Sequence, residues 1–229
     1  LTEAAAILSA NNGDDLGMLV HPATSNEEGA LLARLAKGLG TGNIDHRIAQ
    51  RDFSDAAVAE VSGMPVAEIE KAAQIVVFGP NIRHELPLVH ARLRKAQVDH
   101  GAKIHVVNPV DFDFAFTAAS KQVVLPSQLA AALGNADLRA AVTAAAGNAV
   151  VIVGALAENH AQGAQLRRAA AEFAAATGAR LCRIPQGANA LGLARAGVLP
   201  AGKDANAMLT APRKAYVLYG IEPGLAFAD

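Results

Sequence analysis

The residues best suited to bind a ligand follow four short apolar segments, each at the point where the segment ends. Glycine, asparagine and proline dominate these positions, which are Gly79-Pro80-Asn81, Asn108-Pro109, Gly154-Ala155 and Gly220-Ile221. If the segments are parallel strands, these residues lie at the carboxyl edge of a sheet, where open α/β folds bind ligands. Glycine lets a ligand approach the backbone and helix amides attract anions, so the loops could hold nucleotide phosphates. Strand-to-helix turns use the same residue types without a ligand, and from spacing alone we favour that simpler interpretation.

Neither of the strong phosphate-binding motifs is present. Residues 187–192 have the glycine spacing of a P-loop, but Leu193 and Ala194 stand where a lysine and a hydroxyl residue would bind phosphate and magnesium. Glycines also occur at positions 38, 40 and 42. They follow a predicted helix rather than a strand, which is the wrong context for a Rossmann dinucleotide turn. We therefore reject a Walker A site and find no Rossmann fingerprint.

Metal and thiol chemistry have few candidates in this sequence. The seven histidines are scattered, and no His-Glu-x-x-His motif occurs. His21 and His105 lie in or beside predicted strands, where we expect structural, hydrogen-bonded roles. The single cysteine, Cys182, should be a small buried hydrophobe, and one cysteine excludes an internal disulfide or an iron–sulfur cluster held by this chain alone. We predict no catalytic residue and no metal ligand.

Seven segments rich in valine, isoleucine, leucine and aromatic residues are predicted to position the loops. Their apolar residues are continuous rather than alternating, which is typical of strands buried on both faces of a parallel sheet. The segments are 16–21, 74–79, 103–108, 121–125, 149–154, 179–184 and 214–220.

Helices are predicted between most of these strands. The first begins at Ser25, which has capping-box spacing to Glu28, and two more cover about 85–98 and about 158–177. The stripe expected to be buried on the first helix is Leu31, Leu32, Leu35 and Leu39. Alternating strands and helices predict a Rossmann-like α/β fold with helices on both faces of parallel sheets. An alanine-rich stretch separates two such series, so we predict two lobes, 1–126 and 127–229.

Composition excludes several classes of function. Of the 229 residues, 52% are hydrophobic and 18% charged, which is too apolar for a disordered chain. The 20 basic and 21 acidic residues give a net charge of −1, so we predict no nucleic-acid partner. The apolar run at 149–157 is nine residues long. A bilayer helix needs about 20, so we predict no direct membrane insertion. Because the chain begins at Leu1, we interpret it as a piece of a longer protein.

Several strings, taken in their order and spacing, resemble the molybdopterin oxidoreductase fold. They are Thr24-Ser25-Asn26-Glu27-Glu28, Gly42-Asn43-Ile44-Asp45-His46-Arg47, Gly79-Pro80-Asn81-Ile82-Arg83, Asn108-Pro109, residues 187–192 and residues 214–223. More narrowly, the chain resembles the carboxy-terminal region of the G subunits, the large iron–sulfur subunits of bacterial NADH:quinone oxidoreductases (respiratory complex I). The resemblance covers almost the whole chain.

The resemblance implies two α/β lobes like those of formate dehydrogenase and DMSO reductase. In catalytic members of that fold, two molybdopterin guanine dinucleotides lie across the strand-end loops. A cysteine, selenocysteine or serine ligates the metal shortly after the Asn-x-Asp segment. Here Asp45 is followed by residues 46–50, His-Arg-Ile-Ala-Gln, which contain none of the three. The positions that match the dinucleotide loops are Gly79, Asn81, Asn108 and Gly154, and we expect them to form a vestigial site at most.

The resemblance further implies a non-catalytic scaffold portion of that large iron–sulfur subunit, with no cofactor in this chain. Iron–sulfur clusters of the parent subunit would lie upstream, and molybdopterin is not expected. The implied partners are the upstream iron–sulfur domain and other subunits of the hydrophilic arm of complex I, on the cytoplasmic side of the bacterial inner membrane. An alternative is a molybdenum or tungsten oxidoreductase domain that still binds a guanine dinucleotide. A stand-alone nucleotide binder has only fold analogy in its favour.

Overall fold

The computed structural model describes residues 2–58 and 62–224, and the chain forms two compact units. The first unit combines both ends of the chain, 1–59 and 185–229, and the second is the continuous segment 60–184. The strands are β1 (Leu16–Val20), β2 (Ile44–Asp45), β3 (Gln74–Phe78), β4 (Lys103–Asn108), β5 (Ser120–Val123), β6 (Ala149–Val153), β7 (Arg180–Arg183) and β8 (Ala215–Tyr219). The α-helices are α1 (Thr2–Ala10), α2 (Asn26–Gly38), α3 (Ile82–Glu85), α4 (Pro87–His100), α5 (Leu129–Ala132), α6 (Ala136–Thr143), α7 (Ala155–Glu158), α8 (Gly163–Thr177), α9 (Ala190–Arg195) and α10 (Ala205–Thr210).

All seven predicted strands are confirmed, each within two residues of its predicted bounds. The predicted α/β class with parallel sheets is confirmed as well, because every strand pairing in the described residues is parallel. Strand β2 was not predicted, since two residues are too few to show a pattern.

The second unit contains a five-stranded sheet in the order β5-β4-β3-β6-β7. Its central strand β3 pairs along its whole length with β4 and β6, so that Gln74 lies beside both Lys103 and Ala149. Successive side chains of β3 enter two different cores: Ile75 packs on one face and Val76 on the other. Both residues are fully buried. Burial on both faces is the physical reason for the continuous apolar sequence.

Helices supply the other half of each core in the second unit. On one face α4 contributes Val89, Leu93 and Ala96. On the other face α6 and α8 contribute residues such as Leu138 and Phe173. Helices therefore lie on both faces of this sheet, as the sequence predicted.

The first unit contains a three-stranded parallel sheet in the order β2-β1-β8. Met18 of the central strand β1 packs with Leu32 and Ala36 of α2. The other side of the sheet has a smaller core in which Leu19 packs with Met208 of α10. The unit thus has its own buried core.

The observed units differ from the predicted lobes 1–126 and 127–229. Strand β6 follows the predicted boundary but pairs with β3, which precedes it, and β8 near the end of the chain pairs with β1 near its start. Residue 126 therefore lies inside the second unit. Parallel strands are joined by crossovers, so spatial neighbours need not be neighbours in sequence, and a change in composition does not mark the boundary.

Helix α2 starts where it was predicted to start but buries a different stripe of residues. Helix α2 begins with the predicted capping box, in which the Glu28 amide donates to the Ser25 hydroxyl and the Glu28 carboxylate accepts from the Ser25 amide. Its buried stripe is nevertheless Gly29, Leu32 and Ala36, whereas Leu31 and Leu35 are exposed. The small residue at 29 lets Leu193 of α9 pack closely on the helix, because a Cβ there would lie 2.6 Å from the leucine side chain.

The other two predicted helices are each divided in the structure. The predicted 85–98 segment begins with the end of α3 and continues, after Leu86, as α4. The predicted 158–177 segment is the end of α7 followed by α8. None of the helices in the described residues is long and apolar enough to cross a bilayer.

Candidate functional site

The four residues predicted to match a dinucleotide site lie together at one edge of the five-stranded sheet. Gly79 and Asn81 follow β3, Asn108 ends β4 and Gly154 follows β6. These three strands are neighbours in the order β4-β3-β6 and run parallel, so their carboxyl ends meet at the same edge. The sequence therefore predicted the placement of these residues correctly. Whether these residues can bind a ligand depends on the contacts that they make.

The two glycines allow the loops after β3 and β6 to pack against each other. The Leu156 amide donates to the Gly79 carbonyl over 3.0 Å. A Cβ at Gly79 would lie 2.6 Å from Cβ of Ala157, and one at Gly154 would lie 2.1 Å from Cβ of Pro80. Gly79 also has φ +79°, a left-handed conformation that favours glycine. The space beside each glycine is therefore filled by the chain itself.

A residue that the sequence analysis did not single out, Glu85, binds the backbone at this edge. Its Oε1 accepts a hydrogen bond from the Asn81 amide over 2.6 Å, and its Oε2 accepts one from the Ala155 amide over 2.9 Å. One carboxylate thus joins the loop after β3 to the loop after β6. Its position in the sequence could have indicated this contact, because an acidic residue four positions after a strand-end asparagine can reach back over one helical turn to the loop.

Asn108 fixes the same loop from the side of β4. It is fully buried, and its Nδ2 donates to the Pro80 carbonyl over 3.1 Å. Among the described residues its Oδ1 has no hydrogen-bond partner. The hydrogen bond to Pro80 is a sufficient reason for an asparagine at this buried position, and no ligand is needed to explain it.

The segment that would precede a metal ligand in catalytic members of the fold lies in the first unit. Asp45 is fully buried there, and its carboxylate accepts hydrogen bonds from the Arg47 amide, the Arg47 side chain and the Ala205 amide. The distances to Nε and Nη2 of Arg47 are 2.9 and 3.0 Å, so the pair is bidentate. The Arg47 guanidinium lies 4.5 Å from the centre of the Phe53 ring. These contacts hold the Asp45 carboxylate in a buried ion pair with Arg47.

His46, the next residue, is 1% exposed. Its Nδ1 lies 2.7 Å from the Val198 carbonyl, which can only accept, so Nδ1 carries the proton. Burial lowers the pKa of His46, and the neighbouring Arg47 adds to that effect against the opposing influences of Val198 and Asp45. The ring is therefore neutral near pH 7. Among the described residues its Nε2 has no hydrogen-bond partner.

Of the two histidines predicted to be structural, His21 is half-buried in the first unit, where its Nδ1 accepts from the Ala23 amide over 3.2 Å. His105 and Cys182 are buried in the second unit. Nδ1 and Nε2 of His105 each lie 2.7 Å from a side-chain oxygen, that of Ser120 and that of Gln74 respectively, and burial lowers its pKa. Cys182 is 7% exposed, its Sγ lies 3.0 Å from Oγ of Ser62, and burial raises the pKa of its thiol. The predicted hydrogen bonding of His105 and the predicted burial of Cys182 are confirmed. Over residues 2–58 and 62–224, no three side chains of His, Cys, Asp or Glu converge as metal ligands would.

Comparison with known proteins gives the family. The sequence profile of the molybdopterin oxidoreductases matches residues 1–220, which is nearly the whole chain. The chain belongs to the molybdopterin oxidoreductase family. The match confirms the resemblance found in the sequence and agrees with the parallel α/β architecture.

Proteins of two kinds are similar to the chain. The G subunit of the NADH-quinone oxidoreductase of Mycobacterium bovis (strain ATCC BAA-935 / AF2122/97) is 30% identical over 195 residues, which cover 80% of this chain and 24% of that protein. The corresponding G subunit of Mycobacterium tuberculosis (strain CDC 1551 / Oshkosh) matches equally well. A Staphylococcus aureus (strain USA300) protein that carries a formate dehydrogenase name is 32% identical over 109 residues, 44% of this chain and 11% of that protein. The chain spans about a quarter of the length of the two mycobacterial relatives.

Proposed function

We propose that this chain is a non-catalytic scaffold domain of the G subunit, the large iron–sulfur subunit, of a respiratory NADH:quinone oxidoreductase. In this proposal it keeps the molybdopterin oxidoreductase fold and contributes packing rather than chemistry. Iron–sulfur clusters of the subunit would lie outside this chain. Its partners would be that iron–sulfur domain and other subunits of the hydrophilic arm, on the cytoplasmic side of the bacterial inner membrane. Similarity to two mycobacterial G subunits over 80% of the chain supports the assignment.

The scaffold proposal rests on the side chains that follow Asn43. The carboxylate of Asp45 is fully buried and committed to Arg47 and to the Ala205 amide. The positions that follow offer histidine, arginine, isoleucine, alanine and glutamine, and none of these has the thiolate, selenolate or hydroxyl that ligates the metal in the catalytic relatives. Removing Asp45 from its ion pair to bind a metal would leave the Arg47 charge buried, which is costly.

The strand-end edge of the second unit is a poor fit for a pterin dinucleotide for a separate reason. The space beside Gly79 and Gly154 is taken by Ala157 and Pro80, and the loop amides of Asn81 and Ala155 already donate to Glu85.

The test is the metal and pterin content of the intact protein. The protein is expressed in a host that assembles molybdenum and tungsten cofactors, with a formate dehydrogenase made in the same host as the loading control. Molybdenum and tungsten are measured by mass spectrometry, and pterin by fluorescence after oxidation. We expect the control to be loaded and this protein to contain far less than one metal per chain. One molybdenum or tungsten per chain together with pterin would refute the scaffold proposal.

Assembly is tested on the native complex. A tagged copy of the protein is purified from its own membranes in mild detergent, and the co-purifying chains are identified by mass spectrometry. We expect the other hydrophilic-arm subunits of the quinone oxidoreductase in stoichiometric amounts. Recovery of the protein alone, from a strain in which the complex is intact, would contradict the proposed partners.

A second candidate is a molybdenum or tungsten oxidoreductase domain that still binds a guanine dinucleotide. The similarity to the Staphylococcus aureus protein with a formate dehydrogenase name, over 44% of the chain, favours it. Thermal unfolding with added guanosine diphosphate distinguishes the two, because a ligand at 100 times its dissociation constant stabilises a protein by about 2.7 kcal/mol. A stabilisation of that size that grows with the logarithm of the ligand concentration would favour the second candidate, and no shift would favour the scaffold.

A further inference from the structure

Two backbone amides from different loops of the second unit converge on one side-chain anion. The Asn81 amide follows β3 and the Ala155 amide follows β6, and both donate to Glu85, over 2.6 and 2.9 Å. Each oxygen of the carboxylate takes one of the two hydrogen bonds. The anion therefore bridges two neighbouring loops at the carboxyl edge of the sheet.

Convergent loop amides are the groups with which proteins bind phosphate and other anions. A carboxylate resembles a phosphate at such a position, since it is negative and presents two acceptor oxygens at a similar spacing. An amide that already donates to Glu85 cannot donate fully to an incoming anion. Because Glu85 belongs to the same chain, its effective concentration at the loops is far higher than that of a free anion.

The surroundings leave little alternative space for an anion beside these amides. Gly154 faces Pro80 so closely that a Cβ would lie 2.1 Å from the proline side chain, and Gly79 faces Ala157 in the same way. Asn108 further anchors the loop by donating to the Pro80 carbonyl. The loops are thus joined to each other and to Glu85.

We propose that Glu85 is an internal anionic ligand, which occupies the anion position of the loops after β3 and β6 and closes it to the phosphate groups of a nucleotide. The inference rests on the proposed loss of dinucleotide binding and names the residue that enforces it. Removing the carboxylate exposes a latent site for a small anion. Phosphate, the simplest ligand of that chemistry, then takes the place of the missing side chain.

The test compares Glu85→Ala with the wild-type protein and with Glu172→Ala, an exposed glutamate on α8 that serves as the matched control. Melting temperature and calorimetric binding are measured on the intact protein at constant ionic strength, with inorganic phosphate replacing chloride. We expect Glu85→Ala to melt below the wild type and to regain stability as phosphate is added. In calorimetry it should bind phosphate saturably, with an affinity about tenfold or more above that of the wild type. Wild type and Glu172→Ala should respond alike and weakly.

Two results would overturn the inference. One is wild-type protein that binds phosphate as tightly as Glu85→Ala. The other is a folded Glu85→Ala protein with no gain in phosphate binding, whatever its stability. If Glu85→Ala does not fold, Glu85→Gln is titrated with phosphate and followed by amide NMR. The Asn81 and Ala155 signals should respond most, and signals that do not respond to phosphate would also overturn the inference. Because the titration requires no metal or pterin, its outcome is independent of the metal analysis that tests the scaffold proposal.

Discussion

His46 shows how burial decides the state of a titratable side chain in this protein. The ring is 1% exposed and donates from Nδ1 to the Val198 carbonyl. Its pKa is lowered, chiefly because the charged imidazolium would lose its hydration. The unfolded chain, with a pKa near the ordinary value of about 6.5, then binds more protons than the folded chain as the pH falls.

The free energy of unfolding should therefore be largest above about pH 6.5 and fall as the pH is lowered toward the folded-state pKa. We expect His46→Gln to show a shallower loss between about pH 7 and about pH 5.5 than the wild type. His84→Gln, an exposed histidine of α3, is the control and should keep the wild-type slope. Urea unfolding at a series of pH values measures this. Equal slopes for wild type and His46→Gln would show that His46 does not carry the effect.

The buried Asp45 carboxylate should also contribute to the stability of the protein. Asp45→Asn removes the charge opposite Arg47, whose side chain is only 11% exposed. Loss of one member of a buried ion pair typically costs about 3–5 kcal/mol, because the other charge stays buried and unpaired. The control is Asp113→Asn, since the exposed pair of Asp113 with Arg83 should contribute about 0–1 kcal/mol. Urea unfolding compares the two, and equal losses would contradict a buried role for Asp45.

At the scale of elements, the strand-end loops depend on the absence of side chains. Gly154 has φ −117° and ψ −174°, which any residue can adopt, so the reason for glycine there is contact and not backbone strain. The loop after β6 approaches Pro80 too closely for a Cβ. The glycine that resembles one of a ligand-binding turn thus allows two loops of the chain to pack closely together.

Gly154→Ala should therefore destabilise the protein by about 1–3 kcal/mol through overpacking. Gly38→Ala, at the end of α2, is the matched control, because a Cβ there would meet nothing within 4 Å and its φ is not positive. That control should be neutral or stabilising by up to about 1 kcal/mol. Denaturant unfolding of the two variants provides the comparison. A neutral Gly154→Ala would mean that the loops can separate at no cost.

At the scale of the whole molecule, the second unit is a continuous segment with two cores of its own. The cores on the two faces of its sheet are formed by residues between Met64 and Cys182. We expect the fragment 60–184 to fold alone and to unfold cooperatively in circular dichroism and amide NMR. The fragment 1–126 should not fold, because it lacks β6, the neighbour of β3, and the helices α6 and α8 that cover Val76 and Phe78. A folded 1–126 or an unstructured 60–184 would refute this division.

Local patterns account for much of what could be predicted. The continuous apolar runs located seven strands, and the Ser25 to Glu28 spacing located the start of α2. Placing Gly79, Asn81, Asn108 and Gly154 at one edge followed from the rule that parallel strands end together. The family was evident from strings distributed over the chain, and the profile match to residues 1–220 confirmed it.

The type and order of the elements could be predicted from the amino-acid sequence, because burial on both faces and helix capping leave a pattern in adjacent residues. Which strands are neighbours depends on contacts between distant parts of the chain, so the unit boundary and the buried stripe of α2 could not be predicted from local patterns. The tertiary structure also revealed Glu85, whose partners at Asn81 and Ala155 lie 4 and 70 positions away. A hydrogen bond across 70 residues depends on the pairing of β3 with β6, which no local spacing encodes.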